Sequence, residues 1–170
     1  MVHSFPTRRS SDLPALRLGY VVAPPDLVSA FAGALDAAGI FSSPLYQTVL
    51  TDFIQEGHLA RHIRRMRMLY MERRKALVSA LSTQLGSALE VVGTDAGMHV
   101  VALLPPGVDD VAISRRAARE GIAALPLSTC YIGPSQRGGL VLGYGGANSH
   151  QIRDGVRRLK ISLSGVICTR

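Results

Sequence analysis

From His58 to about Leu85 the chain contains neither glycine nor proline, and Gly57 and Gly86 bracket the stretch. Within it Leu59, Ile63, Met66, Tyr70, Leu77 and Leu81 recur near a helical period, with arginines between them. The pattern predicts one long helix, charged on one side and apolar on the other. A helix of this kind bridges two parts of a molecule, so the remaining elements should be arranged around it.

Those elements alternate in type. Arg17 to Val22 reads as a short strand of β-formers ended by Pro24-Pro25. Leu27, Ala30, Phe31, Ala34 and Leu35 then mark a helix to about Ala38, stopped by Gly39. Ser42-Ser43-Pro44 has the form of an N-cap followed by proline in the first helical position. The helix it opens should turn Leu45, Val49, Phe53 and Ile54 toward a core. Beyond Gly86 the composition becomes β-rich. Strands are expected at Leu89–Val92, Met98–Leu104, Ile122–Leu127 and Leu140–Tyr144, with helices from Asp109-Asp110 to Gly121 and from Ser149 to Leu163. This order, β-β-α-β-β-α, predicts a small α+β sandwich with helices on one face of its sheet.

The 170 residues amount to one ordinary domain or slightly more, and 47% hydrophobic residues with a mean hydropathy of +0.21 supply a real core. No apolar run approaches the roughly 20 residues of a membrane-spanning helix, and the first residues contain no secretory apolar segment. Two cysteines, Cys130 and Cys168, do not make a disulfide framework, so a reducing cytoplasm is the expected location. The net charge of +7 and a pI near 10.1 raise the question of nucleic acid. However, seven of the nineteen basic residues lie between Arg61 and Lys75, as the solvated face of the long helix would have them. Aromatic residues are only 5% and tryptophan is absent, which gives little support for a base-stacking platform.

Several motifs carry less than they suggest. His58 and His62 are four apart on one helix, but Leu59 stands where a metalloprotease motif needs glutamate, so a helix-surface or helix-packing role explains them better. His99 lies in a β run and reads as a core or interface residue. Cys130 has no His or Asn partner nearby that would make it a nucleophile. Gly143-Tyr144-Gly145-Gly146 lacks the lysine and spacing of a phosphate-binding loop. No catalytic residue and no metal ligand is assigned.

The string His3 to Leu13 is polar and aperiodic, and it resembles the translation of a widely used sequencing-adapter oligonucleotide. Residues 1–13 are therefore expected to be non-native, with native sequence starting near Pro14. Ile161 to Arg170 loses the helical pattern and invites the same suspicion.

Two stretches carry a family resemblance. Pro14-Ala15-Leu16-Arg17-Leu18-Gly19-Tyr20 resembles the segment after the Schiff-base lysine in class I/II aminotransferases, which are pyridoxal-phosphate (PLP) proteins of fold type I. Phe53 through Leu77 closely resembles the same helix in MocR-type transcription regulators, which join a GntR-like winged helix-turn-helix to an aminotransferase-like effector domain. Asp95 to His99 and Gly139 to Tyr144 match as well. The resemblance implies the C-terminal part of such a protein: residues 14–57 as a remnant of the large PLP-binding domain, and residues 58–165 as the linking helix plus the small domain. It also implies an intact protein that is a cytoplasmic homodimer, transfers or senses an amino acid or amine, and touches DNA only through an upstream domain.

Taken alone, Arg17 reads as a strand-start arginine paired with a surface carboxylate. The resemblance makes it the arginine that binds the PLP phosphate, a role suited to a guanidinium fork. Counting back seven residues, where the cofactor lysine should stand, reaches Ser10. Serine cannot form the imine that holds PLP. Family members also hold a substrate carboxylate with an arginine in the strand matching Leu140–Tyr144, but the corresponding residue here is Val141, leaving Arg137 as a weak substitute. A fragment of a PLP-dependent transferase, inactive by itself, is the resulting expectation. The alternative is the effector-domain piece of a MocR-type regulator.

Overall fold

The computed structural model describes Leu18 and residues 22–93, 97–133 and 137–165. Arg17, the adapter-like residues 3–13, most of the expected strand at Arg17–Val22 and the tail after residue 165 lie outside the described residues. The described residues fall into two compact units, one ending at Met66 and one beginning at Arg67.

The first unit contains α1 (Pro25–Ala37), α2 (Pro44–Gln55) and the first turns of α3 (His58–Leu85). Proline opens both α1 and α2, where its missing N–H costs no helical hydrogen bond. Ser43 stands at the N-cap of α2 as expected, but its hydroxyl makes no capping bond. Gly39 and Gly57 take left-handed conformations (φ +64° and +74°) and let the chain turn between helices. The expectation that α2 turns its apolar residues into a core is not met: no residue of α1 or α2 is buried. Leu45 is 67% exposed and Ile54 52%. The helices are amphipathic, yet nothing among the described residues of this unit covers their apolar sides.

The second unit has the layered form expected. Four antiparallel strands, β1 (Glu90–Val92), β2 (His99–Leu103), β3 (Leu125–Pro126) and β4 (Gly139–Gly143), lie in the order β1-β2-β4-β3. The register pairs Val100 with Leu142 and Ala102 with Leu140, so these four side chains share one face and all are buried. With them in one core are Leu77, Leu81 and Leu85 of α3, Ile113 and Ala117 of α4 (Asp110–Arg119), and Ile152, Val156 and Leu159 of α5 (Ser149–Ser162). The strand expected over Ile122–Leu127 pairs only at Leu125–Pro126, because a short 3-10 turn over Leu127–Cys130 takes the chain out of the sheet.

Local chemistry fixes the helix starts. Asp109 Oδ1 accepts from Val111 N (2.9 Å) and Ala112 N (3.0 Å) at the head of α4. Asn148 and Gln151 form a reciprocal capping box at α5. No helix among the described residues is long and apolar enough to cross a membrane.

Candidate functional site

Three sequence stretches that were singled out separately meet in the second unit. The Tyr144 hydroxyl donates to Gly97 O (2.6 Å) and Tyr144 N donates to Met98 O (3.1 Å), tying the end of β4 to the turn before β2. Tyr70 of α3 meets the Tyr144 ring edge-on, with centroids 6.5 Å apart. One turn on, Arg73 Nη1 donates to Gly145 O, while Ser149 Oγ donates to Glu72 Oε1 (2.9 Å). The approach is close enough that a Cβ on Gly145 would sit 3.5 Å from Met98 Sδ. Burial pushes the Tyr144 phenol above its ordinary pKa, and the nearby Arg74 charge offsets only part of that. The hydroxyl therefore stays a neutral donor, locked on a backbone carbonyl.

Val141, at the position where the family resemblance calls for an arginine, lies on the sheet face away from the helices. Its cross-strand neighbours are Val101 and Leu125. These residues form an apolar row in which no cation stands. Arg137 does not substitute for one: its Nε donates to Leu104 O (3.0 Å) and its Nη1 pairs with Glu90 Oε2 (2.6 Å). The guanidinium is thus committed to tying β1 and β2 to the segment before β4.

Sequence reasoning missed Asp110, reading it only as part of a helix start. It is 3% exposed, and its carboxylate accepts from Ser128 Oγ (2.6 Å), Ser128 N (2.8 Å) and Gly139 N (3.0 Å). Burial opposes the charge, but the hydrogen bonds from Ser128 and Gly139 outweigh it and hold the carboxyl below its ordinary pKa. The arrangement pins the 3-10 turn and the first residue of β4 to the head of α4. The available signal was the pairing of Asp109-Asp110 with Gly138-Gly139. A Cβ at Gly138 would lie 2.9 Å from Val108 O, and one at Gly139 would lie 3.1 Å from Ala102 O.

The remaining candidates stay apart from this site. His58, partly exposed, pairs with Glu56 (2.9 Å) and contacts Arg61 and the Phe53 ring, within the helix-surface or helix-packing role expected of it. Among the described residues no cluster of three His, Cys, Asp or Glu side chains could hold a metal. Cys130 is exposed at the end of the 3-10 turn. His99 is half-buried at the start of β2, opposite Gly143.

The described residues do not assemble a PLP site. The chain has two lysines, Lys75 and Lys160, and both are exposed, one on α3 and one on α5. Both follow Arg17 in the chain, whereas the imine lysine that the family resemblance implies would precede that segment.

Comparison with known proteins agrees with the converging motifs. The family described as "Aminotransferase class I and II" matches residues 10–153. The "Probable rhizopine catabolism regulatory protein MocR" of Rhizobium meliloti is 37% identical over 86% of this chain and 30% of its own length. The HTH-type transcriptional regulator YhdI of Bacillus subtilis is 33% identical over 95% of this chain and 34% of its own. The crystal structure of LysN, an alpha-aminoadipate aminotransferase of Thermus thermophilus complexed with N-(5'-phosphopyridoxyl)-L-leucine, superposes with a TM-score of 0.84 at 27% identity. That match covers 92% of this chain and 40% of LysN. The chain thus spans about a third of the length of the two regulators.

Proposed function

The chain belongs to the class I and II aminotransferase family, and from that premise we propose that it is the linking-helix and small-domain piece of a PLP-binding protein whose reactive residues lie on other chain segments. The observation that carries the reading is the convergence of Tyr70, Gly97-Met98 and Tyr144 in one packed site. In the intact protein PLP supplies the electron sink for amino-group chemistry, and Arg17 is the residue of this chain that would hold its phosphate. The partners of that protein would be an amino acid or amine, together with a second subunit. This chain alone does not transaminate, because neither of its lysines stands where the family's imine lysine does.

Between the two roles open to the parent, regulator and enzyme, the regulator is favoured. The two regulators are 37% and 33% identical to this chain, whereas the 2-aminoadipate transaminase of Thermus thermophilus is 28% identical. Long-read sequence upstream of Pro14 tests this reading: a winged helix-turn-helix followed by an aminotransferase-like large domain is expected there. An aminotransferase start codon with no DNA-binding head would make the parent an enzyme. At the level of the chain, added PLP is expected to give no visible band that borohydride reduces. A reducible band would mean that one of the two lysines does hold the cofactor.

A further inference from the structure

The second unit carries a basic surface distinct from the one the sequence made conspicuous. α4 and α5 meet at their C-terminal ends: Arg116 Nη2 donates to Ser164 O, just past α5, and Arg158 Nη1 donates to Glu120 O, at the C-cap of α4. Seven cations line these two helices: Arg115, Arg116, Arg119, Arg153, Arg157, Arg158 and Lys160. All are exposed except Arg158, which is half-buried. The acids available to them are Glu120 and Asp154, since Asp109 caps α4 and Asp110 is buried. Asp154 is already shared by Arg157 and Arg158, and their hydrogen bonds hold its carboxyl below the ordinary range. The side chains of Arg115, Arg119, Arg153 and Lys160 make no ion pair or hydrogen bond among the described residues.

We propose that this α4–α5 face holds the phosphate backbone of duplex DNA, adding sequence-independent affinity to the parent protein. The proposal rests on the regulator reading and departs from the expectation that DNA is touched only through an upstream head. The chemistry selects the partner. Six of the seven cations are arginines, whose forked donors match phosphate oxygens. They stand on two rigid helices, as suits a stiff and regularly charged rod. A bilayer would need protruding apolar anchors, and here Ile161 alone is exposed among the large apolar residues of the two helices. The same lack of apolar anchors disfavours an acidic protein surface, where binding energy concentrates on buried aromatic and aliphatic contacts.

The test is fluorescence anisotropy of the full chain with a random-sequence DNA duplex at several salt concentrations. Binding is expected to weaken on the order of a hundred-fold between about 50 and 200 mM salt, as release of counterions from a few phosphates requires. R115Q/R119Q/R153Q removes three cations with no structural partner. It should lower the salt slope by about 2 to 3 while the circular dichroism melt is unchanged. R61Q/R64Q, on the conspicuous helix, should change the slope by less than about 1. The proposal is overturned if the triple variant keeps the wild-type slope, or if R61Q/R64Q abolishes it. It is also overturned if polyglutamate or phosphatidylserine vesicles bind as tightly as DNA. Failure here with a winged helix-turn-helix present upstream removes the DNA-contact proposal alone; absence of that head removes the regulator reading itself.

Discussion

The two units use similar residues to opposite ends. α1 and α2 have amphipathic patterns, as α4 and α5 do, yet none of their residues is buried, whereas α4 and α5 close a core with the sheet. The difference is not one of propensity, since all four helices have competent starts. It lies in what each finds to pack against. A helix short of about 15 residues is marginal without tertiary contacts, and the described residues of the first unit bury no residue of α1 or α2. Amphipathicity therefore records where a partner is needed, and only the second unit contains its own.

The comparison sharpens most under identical truncations. Leu81→Ala removes a side chain that is 1% exposed and should destabilise the second unit by about 2–5 kcal/mol. Leu35→Ala, at 50% exposure on α1, should shift the thermal melt of the chain by less than the equivalent of about 0.5 kcal/mol. Equal losses in both would break the distinction. Asp110→Ala should follow Leu81→Ala in size, at roughly 2–4 kcal/mol, because it strands the Gly139 and Ser128 N–H groups.

The Asp110 anchor also predicts a pH signature. Its folded pKa is depressed, so its contribution is fully present above the unfolded value of about 3.9 and is lost as pH falls through the lower folded value. The stability gap between wild type and Asp110→Asn, followed by denaturant melts, should hold steady from neutral pH to about pH 4 and close below it. A gap that closes between about pH 5 and 7 would contradict a depressed carboxyl. Smaller effects are expected from Tyr144→Phe and Asn148→Ala, about 1 kcal/mol each, for the lost bond to Gly97 O and the lost capping box.

Much of this architecture was legible in the residues. The uninterrupted run from His58 to Leu85 became a single helix, and the β-β-α-β-β-α order after Gly86 became the covered sheet, because period and punctuation are local signals. What periodicity could not report was whether a partner exists, so Leu45 and Val49 were expected in a core and are exposed. The strand at Ile122–Leu127 shrank to two residues because Asp110 pulls Ser128 toward α4, a contact across eighteen positions that no local pattern announces. Of the candidate site, the matching motifs were visible singly, but their meeting through Tyr70 and Tyr144 depends on the fold. The basic stretch on α3 was conspicuous because it is contiguous in sequence; the α4–α5 face escaped notice because its cations are split between two segments.

Hydrogen exchange followed by mass spectrometry on the full chain tests the central contrast most directly. Slow exchange is expected in β2, β4, α4, α5 and the second half of α3, with α1 and α2 exchanging orders of magnitude faster. Protection of α1 and α2 equal to that of β2 and β4 would contradict the account, because it would mean that the first unit carries a core of its own.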